Sequence, residues 1–182
     1  MRITGGIARG IPLTCPKGDW VRPASDRMRE AVFSSIGAGL ANARFVDLFA
    51  GSGSYGLEAL SRGAVSGVFV ESKRQAADSI RKNLESVRKS AGAGASEWSV
   101  EVACADVTKW LPRMAEHGAL GADYVFLDPP YAMTSKRPLD ILESLARALS
   151  DSASRSGTIV VYELARELDA LPDGFECIKI IG

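Results

Sequence analysis

The sequence predicts an α/β fold, a mostly parallel twisted sheet with helices on both faces and a small β-hairpin at the N-terminus. Two observations predict it. From Arg44 onward, short apolar runs alternate with segments of helical period. Those runs are continuously apolar, as in strands buried on both faces, and glycine or proline pairs stop them where a connection must turn.

The elements follow in order. "RFVDLF" is a strand ending in glycines, and "YGLEALSRG" a helix closed by Gly63. "SGVFVES" is a second strand. "KRQAADSIRKNLESVRKS" is a helix with Ala76, Ala77, Ile80, Leu84 and Val87 on one face. "EWSVEVAC" is a third strand, and "VTKWLPRMAEHG" a helix with Pro112 in or near its early turns. "ADYVFLDPPY" is a fourth strand stopped by two prolines, "RPLDILESLARALS" a helix, "GTIVVYE" a fifth strand and "GFECIKIIG" a sixth. "SAGAGASE" (90–97) reads as a flexible loop. Before the sheet, "MRITGGIARGIPLTCPKG" reads as a hairpin, and "SDRMREAVFSSIG" as a helix N-capped by Ser25 with Met28, Val32 and Ile36 on one face. This divides the chain into an arm, residues 1–24, and a main domain, residues 25–182.

Composition sets limits. The 182 residues suffice for one domain with a full core; 46% are hydrophobic, and 22 basic residues balance 22 acidic ones. A neutral chain has no bulk attraction for nucleic acid, so such a partner must be met by a local patch. The arm offers one: Arg2, Arg9, Lys17, Arg22, Arg27 and Arg29 face only Asp19, Asp26 and Glu30. Cys15, Cys104 and Cys177 form no C-x-x-C pair, and His117 is the only histidine, so no metal is expected. The start has no signal-peptide h-region and no apolar run approaches a membrane span, so a cytoplasmic protein is expected.

The informative stretch is "VDLFAGSGSYGLEAL". Gly51, Gly53 and Gly56 spell G-x-G-x-x-G, the pattern of a dinucleotide cradle. Asp47 stands just before it. A carboxylate about 5 Å from a phosphate repels it by roughly 3 kcal/mol at an effective dielectric near 20. S-adenosylmethionine has no phosphate; it offers an ammonium and a sulfonium, and a charge-assisted bond to the ammonium is worth about 1.5–3 kcal/mol. Glu71, at the end of the second strand, suits a ribose diol in either cofactor class. Asp106, after the third, suits an adenine amino group or a helix N-cap. Phe49, Ser52 and Ser72, which flank these positions, and Asp128 are further candidate cofactor contacts.

"LDPPY" is the second informative stretch. Two prolines hold the strand end extended and leave carbonyls free to accept. Asp128 and a proline carbonyl, Pro129 or Pro130, can hold both hydrogens of a planar nucleobase amine, while Tyr131 stacks on the base at about 1–3 kcal/mol. The rival reading of this stretch is a capped Pro-Pro turn.

"DLFAGSG…GLEALSRGA…VFVE" followed by "VFLDPPY" resembles the class I S-adenosylmethionine-dependent methyltransferases. "MRITGGIARGIPL" and "RPASDRMREAVF" resemble the arm and following segment of one of them, the RsmD family, from Met1 to about Glu163. The resemblance implies a seven-stranded Rossmann-like sheet and methylation of the N2 amine of one guanine in 16S ribosomal RNA. Free RNA or the assembled small subunit could be the substrate; a ribosomal particle fits the neutral chain, and a monomer is expected. The family pattern assigns cofactor contacts to Asp47, Gly51, Gly53, Glu71 and Asp106, and the target amine to Asp128 through Tyr131. Arg2, Arg9, Arg22 and Arg29 are the candidate RNA contacts. An adenine amine in RNA or DNA, a non-catalytic assembly factor and a nicotinamide oxidoreductase are the alternatives, the last disfavoured by Asp47. The chain departs from the pattern at Ala24, Ser34, Tyr55 and Ala105, and "VYELAR" leaves Glu163 unassigned. It stops where the family's final strand would follow, so that strand is expected to be absent.

Overall fold

The structure, a computed structural model, describes residues 1–15, 26–116, 120–130, 133, 139–150, 157–164 and 168–181. Among these residues, five strands form one sheet: β1 (Arg44–Leu48), β2 (Ser66–Glu71), β3 (Ser99–Cys104), β4 (Tyr124–Leu127) and β5 (Ile159–Tyr162). All pairings are parallel, in the order β3-β2-β1-β4-β5. The winding reverses at β1, which pairs with both β2 and β4. Sheets wound this way take ligands at such a reversal, beyond the carboxyl ends of the strands, here β1 and β4.

The helices are α1 (Asp26–Ile36), α2 (Ser54–Ser61), α3 (Arg74–Ala91), α4 (Val107–Glu116) and α5 (Asp140–Ser150). Period-2 alternation along β1 sends Phe45 to one face and Val46 and Leu48 to the other. On the first face, α1, α2 and α3 bury Phe33, Leu57, Leu60, Ile80 and Val87 against Phe45, Phe69 and Phe126. On the second, α4 and α5 bury Leu111, Leu142 and Leu145 against Leu48, Val125 and Leu127.

Contact between α2 and the sheet is direct. A Cβ on Gly56 would lie 2.4 Å from ring atoms of Phe45 and Phe69, which meet edge to face at 5.3 Å. The third glycine of the fingerprint is thus a packing position and not a ligand contact.

The N-terminal segment is a short hairpin, with an antiparallel bridge between Arg2 and Pro12 and bonds from Ile3 N–H to Ile11 O and from Gly10 N–H to Ile3 O. It lies on α2 and α3. Ile3, Ala8 and Leu13 enter the first core cluster, Thr4 and Ala8 donate to Glu58 and Ser61, and Thr14 donates to Asn83 at 2.8 Å.

Several expectations need correction. Helix α1 buries Arg29, Val32 and Phe33, leaving Met28 and Ile36 half-buried, because the ring of Phe33 fills the space against Phe126 at 5.5 Å. Residues 90–97 are not a plain loop: Gly92–Ala95 form a 3₁₀ turn that buries Ala95. Residues 175–181 form no strand, although their β-branched run resembles one. A strand exists only by pairing, and here Ile178 and Ile180 stay 76% and 63% exposed. The described sheet accordingly has five strands, against the seven the resemblance implied. Pro112 lies inside α4.

Gly56→Ala is expected to cost about 1–3 kcal/mol by overpacking. The readout is a Tm lowered by several degrees, at about 2–4 °C per kcal/mol. Phe69→Leu in the same chain should recover part of the loss, whereas an unchanged Tm would contradict the close approach.

Candidate functional site

Strand β1 ends at Leu48, and residues 49–53 turn back into α2. Three of them take left-handed backbone: Phe49 (φ 59°), Gly51 (φ 55°) and Gly53 (φ 78°). For Phe49 this is a strained conformation, the kind held in place at functional loops. It is over-determined here by the Phe49 ring packing on the second cluster and by Ala50 N–H bonding to Val70 O at 3.1 Å. Asn83 Nδ2 donates to Ser52 O at 2.9 Å, and Ser52 Oγ lies 3.3 Å from Met1 Sδ, which brings the arm to the loop.

Two carboxylates organise this loop. Asp47 is on the Phe45 face of β1 and points at α2. It is 3% exposed, and its Oδ2 accepts the Gly56 N–H at 2.9 Å in the first helical turn. Burial pushes its carboxyl well above the usual range; Asp128 and Glu71 add repulsion, and the Gly56 N–H opposes the rise. Glu71 accepts the Gly51 N–H at 3.0 Å through Oε2, and the Lys73 N–H at 2.7 Å and Ser72 hydroxyl at 3.4 Å through Oε1. Oε2, with one bond, keeps a lone pair for a further donor.

Beyond β4, Asp128 is half-buried, Pro129 buried and Pro130 exposed. Pro130 O accepts the Met133 N–H at 2.8 Å. Burial first, and then the neighbouring Glu163, push the Asp128 carboxyl up to about 7. Sequence reasoning left Glu163 unassigned, yet it follows the end of β5 as Asp128 follows β4, and that position was a usable signal. Its N–H donates to Leu127 O at 2.8 Å, which extends the β4–β5 ladder and sets its side chain beside Asp128. The Tyr55 hydroxyl donates to Glu163 Oε1. Tyr55 is buried and stacked on Phe126 at 5.4 Å, and burial followed by Glu163 raises its phenol.

Asp106 is exposed and caps α4, its Oδ1 taking the Thr108 N–H at 2.9 Å and the Thr108 hydroxyl at 2.7 Å. Those bonds hold its carboxyl below the usual range. Its N-cap geometry is therefore present, with Oδ2 left for another donor.

The arm's arginines separate. Arg2 and Arg9 are exposed and, with Thr4, Asp26 and Glu30, line a cavity of about 190 Å³. Arg29 is fully buried: its Nη2 donates to Arg2 O and to Asp26 Oδ1 at 2.9 Å, and its Nε lies 3.5 Å from Glu58. A guanidinium with no accessible surface cannot meet an RNA phosphate, so the expectation for Arg29 is corrected. Its Nε and Nη1 find no hydrogen-bond partner among the described residues. Lys17, Asp19, Trp20, Arg22, Ala24, Ser25, His117 and Tyr131 lie outside the described residues. Among the described residues there is no group of three His, Cys, Asp or Glu side chains that could hold a metal, and no helix is long and apolar enough to cross a membrane.

The family model described as conserved hypothetical protein 95 matches residues 1–181. Ribosomal RNA small subunit methyltransferase D of Escherichia coli K12 is 31% identical over 172 residues, 94% of this chain and 78% of its own length. The solved structure of yhhF from Escherichia coli covers 100% of this chain and 92% of its own at TM-score 0.69 and 28% identity. A hypothetical protein of Thermus thermophilus covers 82% of this chain and 79% of its own at TM-score 0.65 and 33% identity.

The Asp128 environment has a thermodynamic consequence. Between the ordinary carboxylate range and about 7, the folded chain holds a proton there that the unfolded chain has lost, so stability falls as pH rises through that window. Asp128→Asn removes the buried charge. It should raise stability by roughly 1–2 kcal/mol at pH 8, or about 2–8 °C in Tm, and leave Tm at pH 5 nearly unchanged. Thermal melts at the two pH values decide; an equal effect at both would contradict a raised carboxyl.

Proposed function

This chain belongs to the RsmD family, and on that premise we propose that it methylates the N2 amine of a guanine in 16S ribosomal RNA, with S-adenosylmethionine as donor. The observation that carries the reading is the carboxyl group placed at the switch point. Where a dinucleotide fold would present a bare helix N-terminus to a pyrophosphate, Asp47 already accepts the Gly56 N–H. Asp47, Glu71 and Asp128 set three acids at the ends of β1, β2 and β4, and the left-handed loop follows the first of them. That donor set fits a positively charged ligand with a ribose and repels phosphate.

S-adenosylmethionine, when bound, supplies a methyl carbon on a positively charged sulfur. The residues of this chain do the rest. Asp47 holds an ammonium, Glu71 accepts a ribose hydroxyl through the lone pair left on Oε2, and Asp106 accepts an adenine amino hydrogen. Gly51, Ser52 and Gly53, with Phe49 and Ser72 on either side, form the floor. Asp128 accepts one hydrogen of the target amine. Pro130 O is engaged by Met133, so Pro129 O is the acceptor for the other. Two acceptors in the plane of the amine orient its nitrogen toward the methyl, which is the entropic part of the catalysis. The amine proton passes to Asp128 Oδ as the N–C bond forms. Tyr131 stacks on the base.

Residues 1–24 act as an RNA-contacting arm through Arg2, Arg9 and Arg22, and residues 25–182 as the methyl-transfer domain. The protein works in the cytoplasm as a monomer on the assembled small subunit, where shape and local contacts replace bulk charge.

Tritiated methyl incorporation into purified small subunits, followed by nucleoside analysis, tests the reading. N2-methylguanosine is expected; a methylated adenine, or no incorporation, would overturn it. Asp128→Ala should lower kcat by about a hundredfold or more while leaving cofactor affinity within a few-fold. Full activity in that variant would point to a scaffold. By calorimetry the protein should bind S-adenosylmethionine and not NAD.

A further inference from the structure

The best-defined group that the proposed chemistry does not use is the contact between Tyr55, Glu163 and Asp128. We propose that Glu163, clamped by the Tyr55 phenol, is a positioning residue for methyl transfer: it acts through Asp128, adding a second fixed negative charge behind the acceptor of the target amine. This rests on the reading of Asp128 given above.

Three observations carry it. Glu163 is not on a free loop; its N–H donates to Leu127 O at 2.8 Å, one position beyond the Leu127–Tyr162 register pair. Adjacent strands run about 4.8 Å apart, so Glu163 and Asp128 emerge side by side. The clamp is rigid: Tyr55 is 4% exposed, stacked on Phe126 at 5.4 Å with an interplanar angle of 21°, and 6.0 Å from Phe33. Finally, the clamp is neutral. A lysine or arginine at position 55 would hold Glu163 equally well but cancel its charge. A phenol that burial keeps protonated fixes the carboxylate and leaves the charge intact.

The charged and titratable groups around the pair come from every packed element. They are Asp47 at the end of β1, Arg29 from α1, Tyr55 from α2, Asp128 after β4, and Tyr162 and Glu163 at the end of β5. Arg29 acts on the Tyr55 side, and its Nη2 is committed to Asp26 and the Arg2 carbonyl. Repulsion from Glu163 reaches Asp128 and raises its affinity for a proton.

The chemical consequence concerns the nitrogen. As its bond to the methyl forms, the amine gains positive character and releases a proton to Asp128. A fixed second carboxylate stabilises that developing charge, and a more basic Asp128 is the better acceptor. Bond formation at nitrogen, loss of the sulfur–carbon bond and transfer of one proton to Asp128 balance without another reactant.

The rival is a purely structural tie between β5 and α2. Glu163→Gln separates them, because the amide oxygen still accepts the Tyr55 hydroxyl while the charge is gone. Carboxyl ¹³C NMR of the free, full-length protein should show Asp128 titrating near 7 in the parent. In Glu163→Gln it should titrate roughly 1–2 pH units lower, the effect of removing one neighbouring charge. The acid limb of kcat/KM for small subunits should move the same way, and kcat should fall about tenfold. Glu163→Asp, which keeps the charge, should retain the raised titration, and it serves as the second variant if Gln disturbs folding. An unmoved titration and an unmoved acid limb in Glu163→Gln would overturn the pairing even with methylation intact. A parent protein that methylates nothing at any pH would instead overturn the functional reading, leaving the NMR result to report on the pair.

Discussion

The Asp47 carboxylate accepts the Gly56 N–H, and that bond joins the end of the central strand to the first turn of α2. Carboxylates at a helix N-terminus are favourable, by about 0.3–1 kcal/mol at a surface and up to ~2 when partly buried. Here the acid is also drawn out of water, and the close approach of α2 to the sheet keeps it there. That approach is possible because Gly56 has no side chain to meet Phe45 and Phe69. The loop between strand and helix then has little freedom. It must close in five residues, and it does so with left-handed backbone and with the Gly51 amide turned to Glu71. Strand end, loop, helix and the end of β2 thus behave as one unit.

Helix α2 is only eight residues long, yet three parts of the molecule are referenced to it. Its inner face sits on the phenylalanine rings. Glu58 and Ser61 take the arm's backbone, with Arg62 and Arg29 flanking Glu58 at 2.8 and 3.5 Å. Tyr55 takes Glu163. A buried Arg–Glu pair contributes little net stability, but removing one partner costs about 3–5 kcal/mol, so it holds its neighbours to one arrangement. On the proposed reading this matters for recognition, because Arg2 and Arg9 stand at a set distance from Asp128 and gauge the RNA between phosphate and target base.

Much of this was legible in the residues. The five described strands, the buried face of α3 and the acids at the strand ends followed from period and spacing, since those features are local. What was hidden depended on partners distant in the chain. Tyr55 and Glu163 are 108 positions apart, and nothing in "SYG" or "VYEL" announces the bond. Arg29 read as a surface charge because helix periodicity cannot tell an exposed arginine from one paired to Glu58 across the core. Residues 175–181 read as a strand because propensity reports what a segment tolerates, and pairing decides whether it forms.

The two charged regions also explain each other. Asp47, Glu71, Asp128 and Glu163 stand at the ends of β1, β2, β4 and β5, and Asp47–Asp128, Asp47–Glu71 and Asp128–Glu163 each repel. An ionised carboxylate about 6 Å from a phosphate oxygen opposes it by roughly 2–3 kcal/mol at an effective dielectric near 20. On the proposed reading, these acids oppose the phosphate backbone of the RNA and favour a base turned away from it. Arg2 and Arg9 are exposed on the arm, outside that field. On the same reading, a chain of zero net charge sorts one substrate by its parts, phosphates to the arm and a neutral, amine-bearing base to the acids. Bulk basicity would undo this sorting, because it would draw phosphate toward the acids as strongly as toward the arm.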